Sequence, residues 1–200
     1  MVAIIDYGVG NLMAIRNIIK KVGFNSVVTS REVDILNATH LILPGVGSFG
    51  YCAEQLQLRG LIPVLENEVL GRKKNVLGLC VGAQLMTKHS DEGNVNGLGW
   101  VEARTVKFND APGHPVPHVG WSDVEFIKTQ PLGRGFEAAR FYFVHSYHFD
   151  FESKNQVIAE AHYGYRFACA FQKENIFGVQ FHPEKSHRFG MRLFQNFLTL

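Results

Sequence analysis

The chain has 200 residues, of which 46% are hydrophobic and 19% charged, and its formal net charge at pH 7 is +2. This length and composition are typical of a single folded domain whose core needs no disulfide or metal, and they argue against a disordered chain. The small net charge argues against nucleic acid as the main partner, and no apolar run approaches the roughly 18 residues of a membrane span.

Neither the N-terminus nor the cysteines suggest export. Residues 1–11 lack the basic region and the small-residue cleavage site of a signal peptide. The three cysteines, Cys52, Cys80 and Cys169, are widely spaced and contain no Cys-x-x-Cys pair, which disfavours a disulfide framework or a zinc cage. We therefore expect a reduced, cytoplasmic protein. The sequence has no P-loop and only an incomplete dinucleotide fingerprint, so we expect neither a cofactor nor a metal.

The first 90 residues alternate between short apolar runs and helical patterns. Strands are predicted at residues 2–5, 26–29, 40–43 and 76–79, and helices at about 11–22 and within 51–71. Asn11 could cap the first helix, and Gly23 suits its C-terminal end. This alternation predicts an α/β fold, with an open, mostly parallel sheet covered by helices on both faces. Functional sites in such sheets form at the carboxyl ends of the strands.

The pattern changes after about residue 98. Strands rich in Phe, Tyr and Val are predicted at residues 101–108, 122–127, 140–149, 157–163, 168–172 and 176–181. Few helices separate them, so part of this half should be antiparallel. A last amphipathic helix is predicted at about residues 187–198. No composition shift marks a domain boundary, and residues 1–200 are therefore predicted to form one domain.

Residues 78–82 read Gly-Leu-Cys-Val-Gly, the cysteine version of a nucleophile elbow between a strand and a helix. Such a turn is sharp, so its neighbouring positions cannot carry large side chains. Cys80 would lie at a helix N-terminus, where the helix dipole favours a thiolate. The N–H of Val81 would point at a developing oxyanion. The alternative is a buried cysteine in a turn where glycine only permits close packing.

Residues 178–184 read Gly-Val-Gln-Phe-His-Pro-Glu. The strand should end at His182, because Pro183 cannot continue the hydrogen-bond ladder. A turn at Pro183 could bring the carboxylate of Glu184 against the imidazole, which would supply a base and the group that orients it. The alternative is a histidine at a strand end followed by a solvated glutamate.

Together the segments at 78–84 (Gly-Leu-Cys-Val-Gly-Ala-Gln) and 181–184 (Phe-His-Pro-Glu) resemble the class I glutamine amidotransferases, which carry a Cys–His–Glu triad on an open α/β sheet. Residues 5–12, 44–49, 117–121 and 142–147 narrow the similarity to the glutaminase subunits of imidazole glycerol phosphate synthase. The resemblance implies that Cys80 attacks the glutamine amide, that His182 moves the protons and that Glu184 holds the imidazole. It also implies a heterodimer with a (β/α)₈ cyclase, which receives the ammonia in histidine synthesis.

The resemblance carries further roles over by position. Val46 and Gly47 match the family's oxyanion strand, where a backbone N–H, that of Val46 after a peptide flip, would complete the hole with Val81. Glutamine-binding positions match Gly45, Gln84, His145, Ser146 and Tyr147. Positions near the synthase interface match Asn11, Trp121, Tyr142 and Lys185.

Three other interpretations stay open. Residues 163–167 and 186–190 are closer to paralogues found with surface-polysaccharide gene sets, which would supply ammonia to a synthase that modifies a nucleotide-linked sugar. A peptidase or chaperone-like hydrolase of the wider superfamily tends to place its histidine directly after the nucleophile, where Val81 stands here. A non-enzymatic subunit could retain the triad and only scaffold a barrel partner.

Overall fold

The strands of the computed structural model, which describes residues 1–109, 113–127 and 131–200, join into one mixed sheet. The N-terminal elements are β1 (Val2–Ile5), α1 (Leu12–Lys21), β2 (Ser26–Thr29), α2 (Glu32–Asn37), β3 (His40–Leu43), α3 (Phe49–Leu58), α4 (Ile62–Glu66), a π-helical turn (Asn67–Gly71), β4 (Asn75–Leu79) and α5 (Val81–Gln84). The later elements are β5 (His89–Ser90), β6 (Val95–Asn96), β7 (Ala103–Lys107), β8 (His118–Phe126), β9 (Ala139–His145), β10 (Tyr147–Phe151), β11 (Val157–Tyr163), β12 (Tyr165–Lys173), β13 (Ile176–Val179) and α6 (His187–Leu198), with 3₁₀ turns at Pro131–Gly133, Lys154–Gln156 and Pro183–Lys185.

The predicted α/β architecture is confirmed. Strands β2, β1, β3, β4 and β13 are adjacent in that order, and each neighbouring pair is parallel. The sheet then turns antiparallel at β12, which pairs with β13, β10 and β11. Strand β11 continues to β8, and β8 to β9. The antiparallel half predicted from the Phe- and Tyr-rich runs is therefore present.

Both faces of the parallel strands are buried, as their continuous apolar runs predict. Val2 and Ile4 face a core that includes residues of α1 and α6, whereas Ala3 and Ile5 face a second core with residues of α2, α3 and α4. Successive side chains of a strand point to opposite faces, so each short apolar run serves both cores.

The first helix begins after Asn11, but the predicted side-chain cap is wrong. The Asn11 side chain makes no capping hydrogen bond, and only its carbonyl accepts the N–H of Ile15, at 3.1 Å. Gly23 does end this helical segment as predicted, because its φ of +91° is a conformation that glycine adopts without strain.

The predicted strand over residues 140–149 is wrong in one respect. The chain breaks at Ser146 into β9 and β10, because β9 pairs with β8 whereas β10 pairs with β7. Aromatic residues continue on both sides of the break, so the residue pattern does not signal this change of partner. Strand β8 also begins four residues before the predicted position, and α2, β5 and β6 have no counterpart among the predicted elements.

Candidate active site

Cys80 lies in a sharp bend between β4 and α5. Its backbone φ of +51° is in the left-handed region, which a non-glycine residue adopts at a cost and which recurs at functional sites. A Cβ on Gly82 would lie 2.0 Å from the carbonyl oxygen of Leu43, and one on Gly78 would lie 2.6 Å from the Cα of Ala83. The two glycines of the predicted elbow are therefore required by close backbone contacts.

Side-chain donors, rather than a long helix, converge on the sulfur of Cys80. Helix α5 is a single turn of four residues, so the helix dipole that the sequence pattern invoked has few aligned peptides. The side-chain amide of Gln180 donates to the Sγ of Cys80 at 3.7 Å, and the imidazole of His182 lines the same cavity close enough to the sulfur to interact with it electrostatically. The register of β13 against β4, which pairs Val179 with Leu79, brings these two distant segments together.

The turn after β13 places a carboxylate against the His182 ring, as Pro183 predicted. The Oε1 of Glu184 accepts from Nδ1 of His182 at 2.8 Å, so Nδ1 carries the hydrogen and Nε2 is left for the sulfur. The backbone N–H of His182 donates to the carbonyl of Tyr142 at 2.9 Å. The hydroxyl of Ser186 in turn donates to the carbonyl of His182 at 2.6 Å. Glu184 thus holds the ring of His182, and Tyr142 and Ser186 hold its backbone.

These hydrogen bonds raise the pKa of His182. Burial disfavours the charged ring and lowers the pKa, but the hydrogen bonds with Cys80 and Glu184, together with their negative charges, outweigh burial and raise it to about 10. The ring is therefore an imidazolium around neutral pH, and it can donate a proton to a leaving group.

Cys80 and His182 open into a cavity of about 350 Å³. Its walls are formed by Val46, Gly47, Cys80, Val81, Gln84, Glu92, Pro117, Val144, His145, Ser146, Tyr147, His182 and Lys185. The structure thus brings together every residue that the resemblance assigned to catalysis, oxyanion binding or glutamine binding except two. Gly45 packs against the elbow, where a Cβ would lie 2.2 Å from the N of Gly82, and Glu184 lies behind His182.

Glu92 and Gln180 belong to the site, but no sequence motif assigns them a role in it. Glu92 lines the cavity, and its Oε2 accepts the N–H of Phe49 at 2.8 Å, which fixes the carboxylate at the start of α3. Gln180 lies inside the 178–184 segment, where a polar residue in an apolar strand was an available signal. Glu92 lies on an irregular turn among other acidic and polar residues, so its residue pattern gives no comparable signal.

The side chain of Gln84 faces protein groups as well as the cavity. Its amide nitrogen donates to the carbonyl of Tyr147 at 3.2 Å and to Oε1 of Gln180 at 3.0 Å. Both amide hydrogens are therefore used within the protein, and Oε1 is the group left to a ligand. These contacts form a chain of hydrogen bonds from the carbonyl of Tyr147 through the side chains of Gln84 and Gln180 to the sulfur of Cys80.

A buried pair of imidazoles supports the cavity wall. Nδ1 of His145 lies 2.8 Å from the carbonyl of Tyr147, so this nitrogen carries a hydrogen and Nε2 of His145 is an acceptor. Nδ1 of His118, 3.0 Å away, must then donate to it, and Nε2 of His118 accepts from the hydroxyl of Ser122 at 2.8 Å. Burial lowers the pKa of His118 to about 4 and that of His145 well below its usual value. Both rings are therefore neutral at pH 7.

Three of the four residues expected at a partner interface form one group that reaches the cavity through Lys185. The ammonium of Lys185 lines the cavity and is 5.5 Å from the centre of the Tyr142 ring. Trp121 is opposite Tyr142 in the register and stacks on the ring of His187, with 5.6 Å between centroids. Asn11 is exposed and lies apart from this aromatic group in the chain, next to Gly10, which packs against Pro44.

A larger cavity of about 650 Å³ lies on the antiparallel part of the sheet, away from the thiol. Its walls carry charged side chains that already pair with each other, such as Arg140 with Asp123 and Arg166 with Glu125. Its described walls contain no Cys, Ser, Thr, Lys or Tyr side chain, and neither Cys80 nor His182 reaches it, so we take the smaller cavity as the candidate active site. Among residues 1–109, 113–127 and 131–200, no group of three His, Cys, Asp or Glu side chains could hold a metal ion.

Comparison with known proteins places the chain in one family. The family model described as glutamine amidotransferase class-I matches residues 3–200. The chain is 47% identical, over 99% of its length and 98% of the relative's, to a protein of Methanococcus maripaludis named imidazole glycerol phosphate synthase subunit HisH 2. It is 42% identical, over the full length of both chains, to a Pseudomonas aeruginosa protein of the same name.

Solved structures agree on the fold. A glutamine amidotransferase crystal structure aligns with a TM-score of 0.73 at 18% identity, over 97% of this chain and 99% of that chain. The structure of PurLQS from Thermotoga maritima aligns with a TM-score of 0.73 at 16% identity, over 99% of this chain and 97% of that chain. At these identities the similarity shows the fold alone.

The imidazole pair predicts a loss of stability in acid. The folded chain takes up a proton on His118 only near pH 4, whereas the unfolded chain takes it up near pH 6.5, so the unfolded state binds more protons between these values. We expect the free energy of unfolding, measured by urea titration, to fall as the pH is lowered through this window. In His118→Gln the change in the free energy of unfolding per pH unit should be smaller than in the wild type, by up to about 1.4 kcal/mol. The exposed His162→Gln is the control, and identical slopes in all three proteins would contradict the prediction.

Proposed function

Because the chain belongs to the class I glutamine amidotransferases, we propose that it hydrolyses the side-chain amide of glutamine with Cys80, His182 and Glu184 and passes the ammonia to a separate synthase subunit. The observation that carries the proposal is the placement of the Cys80 thiol and the His182 ring at one cavity, with the Glu184 carboxylate bonded to the ring from behind. A nucleophile, a proton carrier and an orienting carboxylate are the parts that acyl transfer needs.

The chemistry follows from the protonation states. The sulfur of Cys80 attacks the amide carbon of glutamine, and the C=O becomes a tetrahedral oxyanion. His182, as imidazolium, gives its proton to the amide nitrogen, the C–N bond breaks, and ammonia leaves. The neutral ring then takes a proton from water, whose oxygen attacks the thioester carbon. The C–S bond breaks, the sulfur and the imidazolium return to their starting states, and the new carboxylic acid releases its proton to the solvent as glutamate. Glu184 keeps the hydrogen on Nδ1 throughout, so Nε2 handles every transfer.

Two backbone segments are suited to stabilise the oxyanion. The N–H of Val81 is the first after the nucleophile and has no partner within α5, because the first N–H groups of a helix never do. The second donor is the N–H of Val46, whose residue lines the cavity next to the elbow. A single backbone donor of this kind is worth about 10²–10³ in kcat.

Opposite charges at the cavity suit the free amino acid. Glu92 is the acidic residue that lines it, and its Oε2 accepts the N–H of Phe49, which leaves Oε1 available to a ligand. We propose that Glu92 binds the α-ammonium group of glutamine. Lys185, the basic residue of the same wall, would bind the α-carboxylate. A small cavity with few placed polar groups is typical of an amino-acid site.

The proposed partner surface is a strip of side chains on the solvent face of β8 and β9. It consists of Val119 paired across the strands with Val144, and Trp121 paired with Tyr142. Val119 is 55% exposed, and Val144 also lines the cavity, so the apolar strip reaches the site's mouth. Exposed apolar side chains that adjoin one another mark interaction sites. We propose that a (β/α)₈ cyclase covers this strip.

The names of the relatives support histidine synthesis as the destination of the ammonia. Each of the two relatives described above is named as a subunit of imidazole glycerol phosphate synthase, and both match over nearly the whole chain. The synthase that modifies a nucleotide-linked sugar stays the competing acceptor for the test below. The cyclase fold and the cytoplasmic location stay predictions; among the described residues no helix is long and apolar enough to cross a membrane, and the three thiols are free.

Replacing the nucleophile should abolish hydrolysis and leave the fold intact. We expect Cys80→Ala to lower glutaminase turnover, measured as glutamate formed by the chain with its synthase partner, by at least about a thousandfold. The circular dichroism spectrum should be unchanged. Cys169→Ala, which removes another buried thiol, is the matched control. Turnover retained in Cys80→Ala would exclude the triad mechanism.

Neutralising Glu92 should weaken substrate binding more than chemistry. In Glu92→Gln the amide oxygen can still accept the N–H of Phe49, so the local structure is kept while the charge is lost. We expect KM for glutamine to rise about tenfold and kcat to change less than threefold, because a hydrogen bond to a charged group contributes about 1.5–3 kcal/mol. The exposed Glu54→Gln serves as the control. An unchanged KM would refute the ammonium-binding role.

Complementation separates the two acceptors. We expect this chain, expressed with its own synthase partner, to restore growth without histidine in a strain that lacks its glutaminase subunit. The Cys80→Ala chain should not restore growth at low ammonia. Active glutaminase without rescue, together with ammonia transfer to a nucleotide-linked sugar, would assign the chain to the competing acceptor.

A further inference from the structure

Two buried side chains without a role in the catalytic steps contact residues 44–47, the loop after β3 that contains the proposed oxyanion donor and is called the oxyanion strand below. The thiol of Cys52, on α3, donates to the carbonyl of Val46, with 3.3 Å between sulfur and oxygen. The hydroxyl of Tyr7, after β1, donates to the carbonyl of Pro44. Both side chains are fully buried, and each approaches the strand from the core rather than from the cavity.

Each of these groups has one hydrogen, and the strand carbonyls use both. Burial raises the pKa of Tyr7 well above its usual value, and burial raises that of Cys52 to about 11. Both groups therefore stay protonated around neutral pH and remain donors. The two side chains also interact with each other electrostatically, but neither has a second hydrogen to give.

The two bonds hold alternate peptides of the strand. The bond from Tyr7 fixes the peptide between Pro44 and Gly45, and the bond from Cys52 fixes the peptide between Val46 and Gly47. Neither bond holds the peptide between Gly45 and Val46, which carries the N–H proposed as the second oxyanion donor. Sideways movement of the strand is limited as well, because the backbone of Gly45 is packed against that of Gly82.

We infer that Cys52 and Tyr7 are positioning residues for the oxyanion hole, and that they restrict reorientation of the strand to the single peptide between Gly45 and Val46. This inference rests on the proposed glutaminase function and adds two residues to it. The free thiol of Cys52 is a donor in this role, and neither a nucleophile nor a metal ligand. Its contribution should appear when the oxyanion forms, and hence in kcat rather than in KM.

The test compares donor and non-donor replacements in the complex of the chain with its synthase partner. We expect Cys52→Ala to lower kcat for glutamine hydrolysis about fivefold and to leave KM within twofold, as one neutral hydrogen bond would. Cys52→Ser keeps a donor and should recover most of the loss. Tyr7→Phe removes the other donor and should lower kcat to a similar extent. Cys169→Ala, a buried thiol in the other core, should leave kcat unchanged.

Alkylation of Cys80 by iodoacetamide separates positioning from general damage. This reaction forms no oxyanion, so its rate, followed by mass spectrometry of the Cys80 peptide, should be the same in the wild type and in Cys52→Ala. Alkylation that slows in parallel with kcat would overturn the inference, as would equal losses in Cys52→Ala and Cys52→Ser. If the wild type is active and kcat is undiminished in both Cys52→Ala and Tyr7→Phe, this inference alone would be overturned. A wild-type complex without glutaminase activity would overturn both it and the proposed function.

Discussion

The close approach of two backbone segments at one end of the sheet is the constraint on which the site depends. Gly82, the last residue of the elbow, lies against the carbonyl of Leu43, and Gly45 lies against the N of Gly82. A methyl group at either position would overlap a backbone atom, so the nucleophile and the oxyanion strand can adjoin only through glycine. Backbone atoms cannot move aside as a flexible side chain can. The contact therefore fixes the distance between the nucleophile and the oxyanion strand, and the reacting carbon must fit between them.

The residue pattern was sufficient for the parallel half of the fold and for the core of the candidate site. Continuous apolar strands followed by Gly-rich turns predicted β1, β3 and β4 closely, because burial on both faces leaves little freedom in residue type. The pairing of His182 with Glu184 was also predictable. It depends only on a local turn at Pro183, and the geometry of such a turn is largely determined by the proline itself.

The remainder depended on contacts between residues distant in the chain. Glu92 reaches the cavity only because a turn after β5 meets the start of α3, and Cys52 reaches Val46 only because α3 packs beneath the same strand. No periodicity encodes either contact. The break at Ser146 was hidden for a similar reason, since β9 and β10 share one aromatic composition and differ only in their neighbours. Local propensity likewise favours Asn11 as a helix cap, but in the folded chain its side chain makes no capping hydrogen bond.

The apolar strip at the cavity mouth has a chemical consequence besides its proposed role in docking. In neutral water ammonia is mostly converted to ammonium, which has no lone pair with which to attack a substrate. Product that leaked past Val119 and Val144 would therefore be lost as a nucleophile as soon as it met the solvent. A partner that covers the apolar strip and excludes water would keep the released ammonia in its reactive, uncharged form. Exclusion of water, more than affinity for the partner, would then limit which substitutions the apolar strip tolerates.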